Sequence, residues 1–190
     1  MNAKIFLTID NRVKDIPYPP SNDKGSQNFG FKSYKGNTSR ISKISEAKGF
    51  SGIISLLTAI NDEISPFFSI GCEKIIEAQY SSFYARGYIE FALNYGPMLV
   101  DMLQYMNLFG KFANESSEYV KNKNFSFNWE IAQAFFKKID KTGYSCTIWV
   151  HVFGFSNRQD AVAAYNEATE FLASFFRSIV KPTGDFLAIY

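Results

Sequence analysis

The sequence predicts an α+β protein of one domain: a mixed or mainly antiparallel sheet of about five strands, four helices packed on it, and a long polar loop near the N-terminus. Three observations carry this expectation. Residues 81–95, SSFYARGYIEFALNY, alternate in character over almost their whole length, as a half-buried strand does. Behind Ser156, apolar residues recur at three- and four-residue spacing, as on one face of a helix. Along the chain these two kinds of run include an adjacent strand pair and an adjacent helix pair, an order foreign to strict βαβ winding. A chain of 190 residues is long enough to bury one core.

Taken in order, KIFLTI (4–9) sets Ile5, Leu7 and Ile9 against Lys4, Phe6 and Thr8, which predicts a strand. Residues 10–49 hold Pro17, Pro19 and Pro20, many Gly, Ser and Asn, and eight basic against four acidic residues; they read as a long basic loop. Within it NFGFKSY (28–34) alternates about Phe29 and Phe31 and has the pattern of a hairpin arm. Residues 51–62 place Ile53, Leu56, Leu57 and Ile60 at helical spacing, and Pro66 closes that helix. FFSIGCEKI (67–75) and residues 81–95 then form a hairpin. In its second arm Phe83, Ala85, Gly87, Ile89, Phe91 and Leu93 share one face, while Tyr84, Arg86, Tyr88, Glu90 and Asn94 share the other.

Gly96-Pro97 starts a helix that runs to about Phe112 on Met98, Leu99, Met102, Leu103, Met106 and Phe109, its methionines read as core filler. Residues 113–127 read as a polar connection. A shorter helix is expected from Asn128, with Trp129, Ala132, Phe136 and Ile139 on one stripe and Gly143 beyond its end. Residues 144–153 read as a central strand, with Cys146, Ile148, Val150 and Val152 opposite Thr147, Trp149, His151 and Phe153. Ser156 to Gln159 has the form of a capping box before a helix carrying Ala161, Tyr165, Ala168, Leu172, Phe175 and Ile179. DFLAIY (185–190) reads as a last strand.

Composition narrows function by exclusion. The net charge of +2 neither demands nor forbids a polyanion. The 20 Phe, 11 Tyr and 2 Trp are read mainly as a core built on Phe. Cys72 and Cys146 lack metal-ligand spacing and His151 is the only imidazole, so no metal site and no cofactor are expected. No run is apolar enough to span a membrane or to serve as a secretory h-region, which points to a cytoplasmic protein. Ser45-x-x-Lys48, Ser126-x-Asn128 and Lys141-Thr-Gly143 follow the chain order of the motifs of penicillin-interacting serine enzymes, but triplets this loose arise by chance in a Ser- and Lys-rich chain.

Three readings of function follow. The leading one is a non-enzymatic protein that binds another protein, as an accessory, inhibitor or antidote-type factor acting by occlusion. Its candidate binding residues are Tyr84, Arg86, Tyr88, Trp149 and His151 on the sheet, with Lys32, Lys35 and Arg40 on the loop. The second is an RNA or single-stranded nucleic-acid binder that stacks bases on Tyr84, Tyr88 and Trp149 beside Arg86, with Lys24 and Lys43 adding phosphate contacts. The third is a small enzyme with His151 as base, and Glu90 the one carboxylate placed to join it. An apolar sheet face would also be hidden by a second copy, so homo-oligomerisation stays open.

Overall fold

The computed structural model describes residues 5–21, 28–79, 81–179 and 188–190. Lys24 and positions 185–187 of the expected last strand lie outside them. The described chain forms one mixed five-stranded sheet in the order β1-β4-β5-β3-β2, where β1 is Ile5–Ile16, β2 Phe67–Gln79, β3 Ser82–Leu93, β4 Phe125–Phe136 and β5 Lys141–Phe155. Only β1 and β4 run parallel. The four helices are α1 (Ser51–Asn61), α2 (Gly96–Leu99), α3 (Met102–Val120) and α4 (Arg158–Ser178).

Alternation sends one set of side chains to the helices: Phe67, Ile89, Phe91, Phe127, Trp129, Ile131, Ile148 and Val150 of β2 to β5 are all buried there, and Ile5 and Leu7 of β1 pack against them half-buried. Aromatic rings lock the layers together. Phe176 of α4 packs 5.0 Å from both Phe67 and Phe91, while Phe112 of α3 meets Trp129 at 5.2 Å and Phe175 at 5.1 Å. The expected Phe-built core is therefore present, and edge-to-face geometry adds to its area burial. Helices α1 and α4 touch where Gly52 has no side chain: a Cβ there would overlap Thr169 and stand 2.9 Å from Asn166 Cα.

Among the described residues the opposite face is covered at one end only. Ile16, Phe68, Ile70, Ala92, Leu99, Ala134, Phe136 and Ile189 form a second, smaller core there. Residues 188–190 are held by Asn94, whose Oδ1 accepts from Tyr190 N–H at 2.8 Å and whose Nδ2 donates to Tyr190 C=O at 3.0 Å. The Tyr18 hydroxyl donates to Ile70 C=O at 3.0 Å, so the residues after β1 cross from one sheet edge to the other.

Several expectations are corrected. The long loop is shorter than 10–49, because residues 10–16 continue β1 and residues 38–43 and 45–47 form short 3-10 turns. No strand forms at 28–34, although Phe31 N–H reaches Tyr18 C=O at 3.1 Å and Ser21 N–H reaches Asn28 C=O at 3.0 Å, as in a hairpin closure. The helix expected over 96–112 breaks at Val100, because Asp101 caps a new helix by accepting from Leu103 N–H at 3.0 Å. That helix continues to Val120, through residues read as a connection.

The helix expected from Asn128 is strand β4. Trp129 and Phe136 also fit a helical stripe, but Phe125, Phe127, Trp129 and Ile131 pack side by side on the helix layer, and pairing with both β1 and β5 satisfies the backbone. The cap of α4 is Asn157 rather than Ser156: its Oδ1 accepts from Asp160 N–H at 2.9 Å and its Nδ2 donates to the Asp160 carboxylate at 2.7 Å. Of the expected last strand, only an isolated bridge from Ala188 to Tyr95 is described.

Candidate functional site: the uncovered sheet face

Four of the five sheet residues singled out by sequence stand together on the half-open face. Antiparallel pairing of β3 with β5 sets Tyr88 directly opposite Trp149 and Arg86 directly opposite His151. The Tyr88 and Trp149 rings are 4.9 Å apart, and Trp149 stacks on His151 at 6.3 Å with 24° between ring planes. Tyr84, two positions from Arg86, lies opposite Glu77 of β2. Continuing the register gives one transverse row, Glu73, Tyr88, Trp149, Asn128 and Phe6, which crosses all five strands. Of these Phe6 is 46% exposed, while Tyr88, Trp149 and Asn128 are half-buried. Among the described residues no helix lies over this row, since α1, α3 and α4 pack on the other face.

The charges on the face are paired. Arg86 bonds Glu77 at 3.1 Å, Lys14 pairs with Glu90, and Arg12 holds both Asp10 and Glu130. Glu90 is buried and bound to Lys14, which crosses the face to reach it, so this carboxylate serves as a structural tie. His151 has its pKa lowered by burial, and the Arg86 guanidinium lowers it further, which favours the neutral imidazole. Burial first, then Glu90 and Glu73, push the Tyr88 hydroxyl up to about 12.

At the β2 edge, where the ladder slips between Ser69 and Gly71, a cleft of about 720 Å³ opens. Tyr18, Lys32, Tyr34, Cys72, Tyr88 and Glu90 are among its lining residues. Lys32 and Lys43 thus join Tyr88 in one depression, but Lys35 and Arg40 do not. Lys35 donates to the carbonyls of Asp62 at 2.6 Å and of Ser65, which makes it a brace for the turn after α1. Arg40 sits exposed in the 38–43 turn and does not line the cleft.

Among the described residues the serine, histidine and carboxylate of a nucleophilic triad do not come together. Ser126 lies opposite His151, yet no hydrogen bond joins them among the described residues, and the imidazole's other neighbour is a cation where a serine nucleophile would need a carboxylate. Cys146 faces the helices, on the other side of β5 from His151. Ser126 and Lys141 stand ten residues apart along the β4–β5 ladder, about 30 Å by strand rise, so they cannot share a site. Among the described residues no group of three metal-ligating side chains comes together, and no helix is long and apolar enough to cross a membrane.

Asn128, Ser126, Glu73 and Phe6 were missed by sequence reasoning. The alternation of Phe125, Phe127, Trp129 and Ile131 was the signal that would have placed Ser126 and Asn128 on this face. Comparison with known proteins returned no relative: no family model matches the chain, and no curated protein or solved structure is similar to it.

Proposed function

We infer that this chain binds a partner protein through the uncovered sheet face, with Tyr88 and Trp149 as anchors and His151, Asn128 and Phe6 around them. The observation that carries the reading is the Tyr88–Trp149 pair, 4.9 Å apart at the centre of a row that spans the sheet and has none of the described helices over it. Large aromatic side chains set in a rigid sheet bury much area for little lost freedom, which is the usual make-up of an interface anchor. Occlusion of the partner's own site is the mode of action that fits a face holding no assembled catalytic group.

A protein partner is favoured over a nucleic acid by the charge pattern. Among the strand residues of this face Arg12, Lys14 and Arg86 are each taken by an acid and are outnumbered by Asp10, Glu73, Glu77, Glu90 and Glu130, while Lys32 and Lys43 reach the adjoining cleft from the loop beside Glu46, Glu73 and Glu90. Phosphate backbones need uncompensated cations, and here the stacking groups are ringed by carboxylates.

The test is affinity capture with the wild type, a Tyr88→Ala/Trp149→Ala double variant, and Lys121→Ala as a control away from the face. The expected result is a partner retained by wild type and control and lost by the double variant, whose circular dichroism is unchanged. Equal capture by a folded double variant refutes the reading. Tight binding of a single-stranded oligonucleotide that weakens steeply between 50 and 200 mM salt would transfer the face to nucleic acid.

A further inference from the structure

We propose that β1 and the outer flank of α3 form a second interface whose occupant is another copy of this chain, joined as an antiparallel extension of the sheet about Asn11. Among the described strands β1 pairs only with β4, so its outward backbone groups are those of a sheet edge. On the helix side of that edge, Ile9 is 56% and Val13 59% exposed. Tyr119 and Phe112 contact α4 through Phe171 and Phe175, which turns the opposite flank of α3, with Leu103 and Met106, toward β1. There Phe109 rests on Trp129, the ladder partner of Leu7 in β1, while Leu103 is 61% and Met106 37% exposed. Four large apolar side chains thus line one rim.

Over residues 9–13 the sequence of β1 is complementary to its own reverse. Within the chain Asp10 already accepts from the Arg12 N–H at 3.0 Å and pairs with its guanidinium; a twofold axis at Asn11 sets this ion pair against its own copy, so that each Asp10 also faces the second copy's Arg12 and each Ile9 its Val13, on matching faces. Because the axis of an antiparallel pair stands perpendicular to the sheet, both helix layers fall on the same side. Leu103 and Met106 of each copy then close over the Ile9 and Val13 of the two strands, an isologous contact. The two residues that slip from the β4 ladder, Asn11 and Arg12, preserve the facing of Ile9 and Val13 because their number is even. A bulge is also a common way to blunt an edge, so the experiment has to discriminate.

The test is light scattering coupled to size exclusion, on the whole chain up to several hundred micromolar, with a monomer mass of 21.6 kDa as reference. The expected species has twice that mass. Ile9→Lys/Val13→Lys weakens association by about tenfold or more. Asp10→Arg and Arg12→Asp each weaken self-association, because each sets like charges opposite one another, and the mixture of the two variants recovers it. Asn11→Cys forms a disulfide-linked dimer under mild oxidation. A monomer at every concentration overturns the proposal. So does a dimer that is insensitive to these substitutions while thermal melts show all the variants folded. Since the surface lies on the edge and helix side, Tyr88→Ala/Trp149→Ala leaves the dimer intact, which separates this outcome from that of the partner-binding face.

Discussion

Removal of one hydroxyl, in Tyr105→Phe, tests how the sheet is closed at its covered end. The β3–β5 ladder has its last pair at Phe91 and Cys146. Beyond it the Tyr105 hydroxyl stands between the strands, accepting from Leu93 N–H at 3.1 Å and donating to Tyr144 C=O at 2.6 Å. Tyr105 is fully buried, and burial pushes its pKa well above the usual tyrosine value, so the group remains a donor throughout the working pH range. Phenylalanine would fill the same space and leave a buried N–H and a buried C=O unpaired, each costing about 1–3 kcal/mol, for a loss of roughly 2–6 kcal/mol. Against a total stability of about 5–15 kcal/mol this is large, and for a chain of this length it corresponds to a drop in Tm of roughly 4–24 °C. Urea unfolding followed by tryptophan fluorescence gives the loss, with an unchanged m-value as the sign that only stability moved. Amide exchange at Leu93 should rise in parallel. Tyr119→Phe is the matched control, because its hydroxyl meets Glu167 at 2.8 Å on a residue 37% exposed; its effect stays within about 0.5 kcal/mol. A Tyr105→Phe loss below about 0.5 kcal/mol with unaltered Leu93 exchange would refute the bridging role.

The other predictions concern packing, thiol reactivity and pH. A Cβ at Gly87 would overlap Glu73 C=O and the Tyr165 hydroxyl, so Gly87→Ala costs about 2 kcal/mol or more by overpacking; an unchanged melting curve contradicts that close approach. Burial pushes the Cys72 thiol up to about 12, so a thiol-specific disulfide reagent at pH 8 reacts slowly with the native chain and at the free-thiol rate in urea; fast native labelling would show Cys72 open to solvent. Folded His151 has a pKa below its unfolded value near 6.5, through burial and then Arg86. The unfolded chain therefore takes up this proton first, and the stability it withholds is fully present above that pH and lost as pH falls through the interval down to the folded pKa. Scanning calorimetry from pH 7.5 to 5 should show a smaller fall in Tm for His151→Gln than for wild type, and parallel curves would assign the acid sensitivity to other groups.

Much of the candidate face was legible before any coordinates. The alternation of residues 81–95 separated Tyr84, Arg86, Tyr88 and Glu90 from the core side, and the mixed character of 144–153 did the same for Trp149 and His151. The pairing that brings Tyr88 to Trp149 was not legible, because periodicity orders side chains within a strand and carries no record of which strands meet. Asn128 shows the same limit in another form. Its strand ends in Ala134 and Phe136, buried on the second core, so the alternation of 125–131 gives way to a run that fits helical spacing equally well. The pairing of β1 and β4, more than 100 residues apart in sequence, is what selects the strand.

The sequence by itself determined the class of fold, the helical stripe of α4, the hairpin of β2 and β3, and the two-sidedness of its strands, because each follows from local spacing and from the demand that apolar side chains leave water. Tertiary structure alone decided three further matters. It set Leu103 and Met106 of α3 at the rim, because Tyr105, Leu108 and Phe112 take the inward positions, while Met98 and Met102 pack against the core as filler. It tied Lys14 to Glu90 across the face. It also left Trp149 and His151 without a helix above them, because the three long helices all pack on the other face, where the larger apolar surface lies, and the small second core covers only one end. Such choices depend on contacts between residues far apart in the chain, where no local pattern can record them.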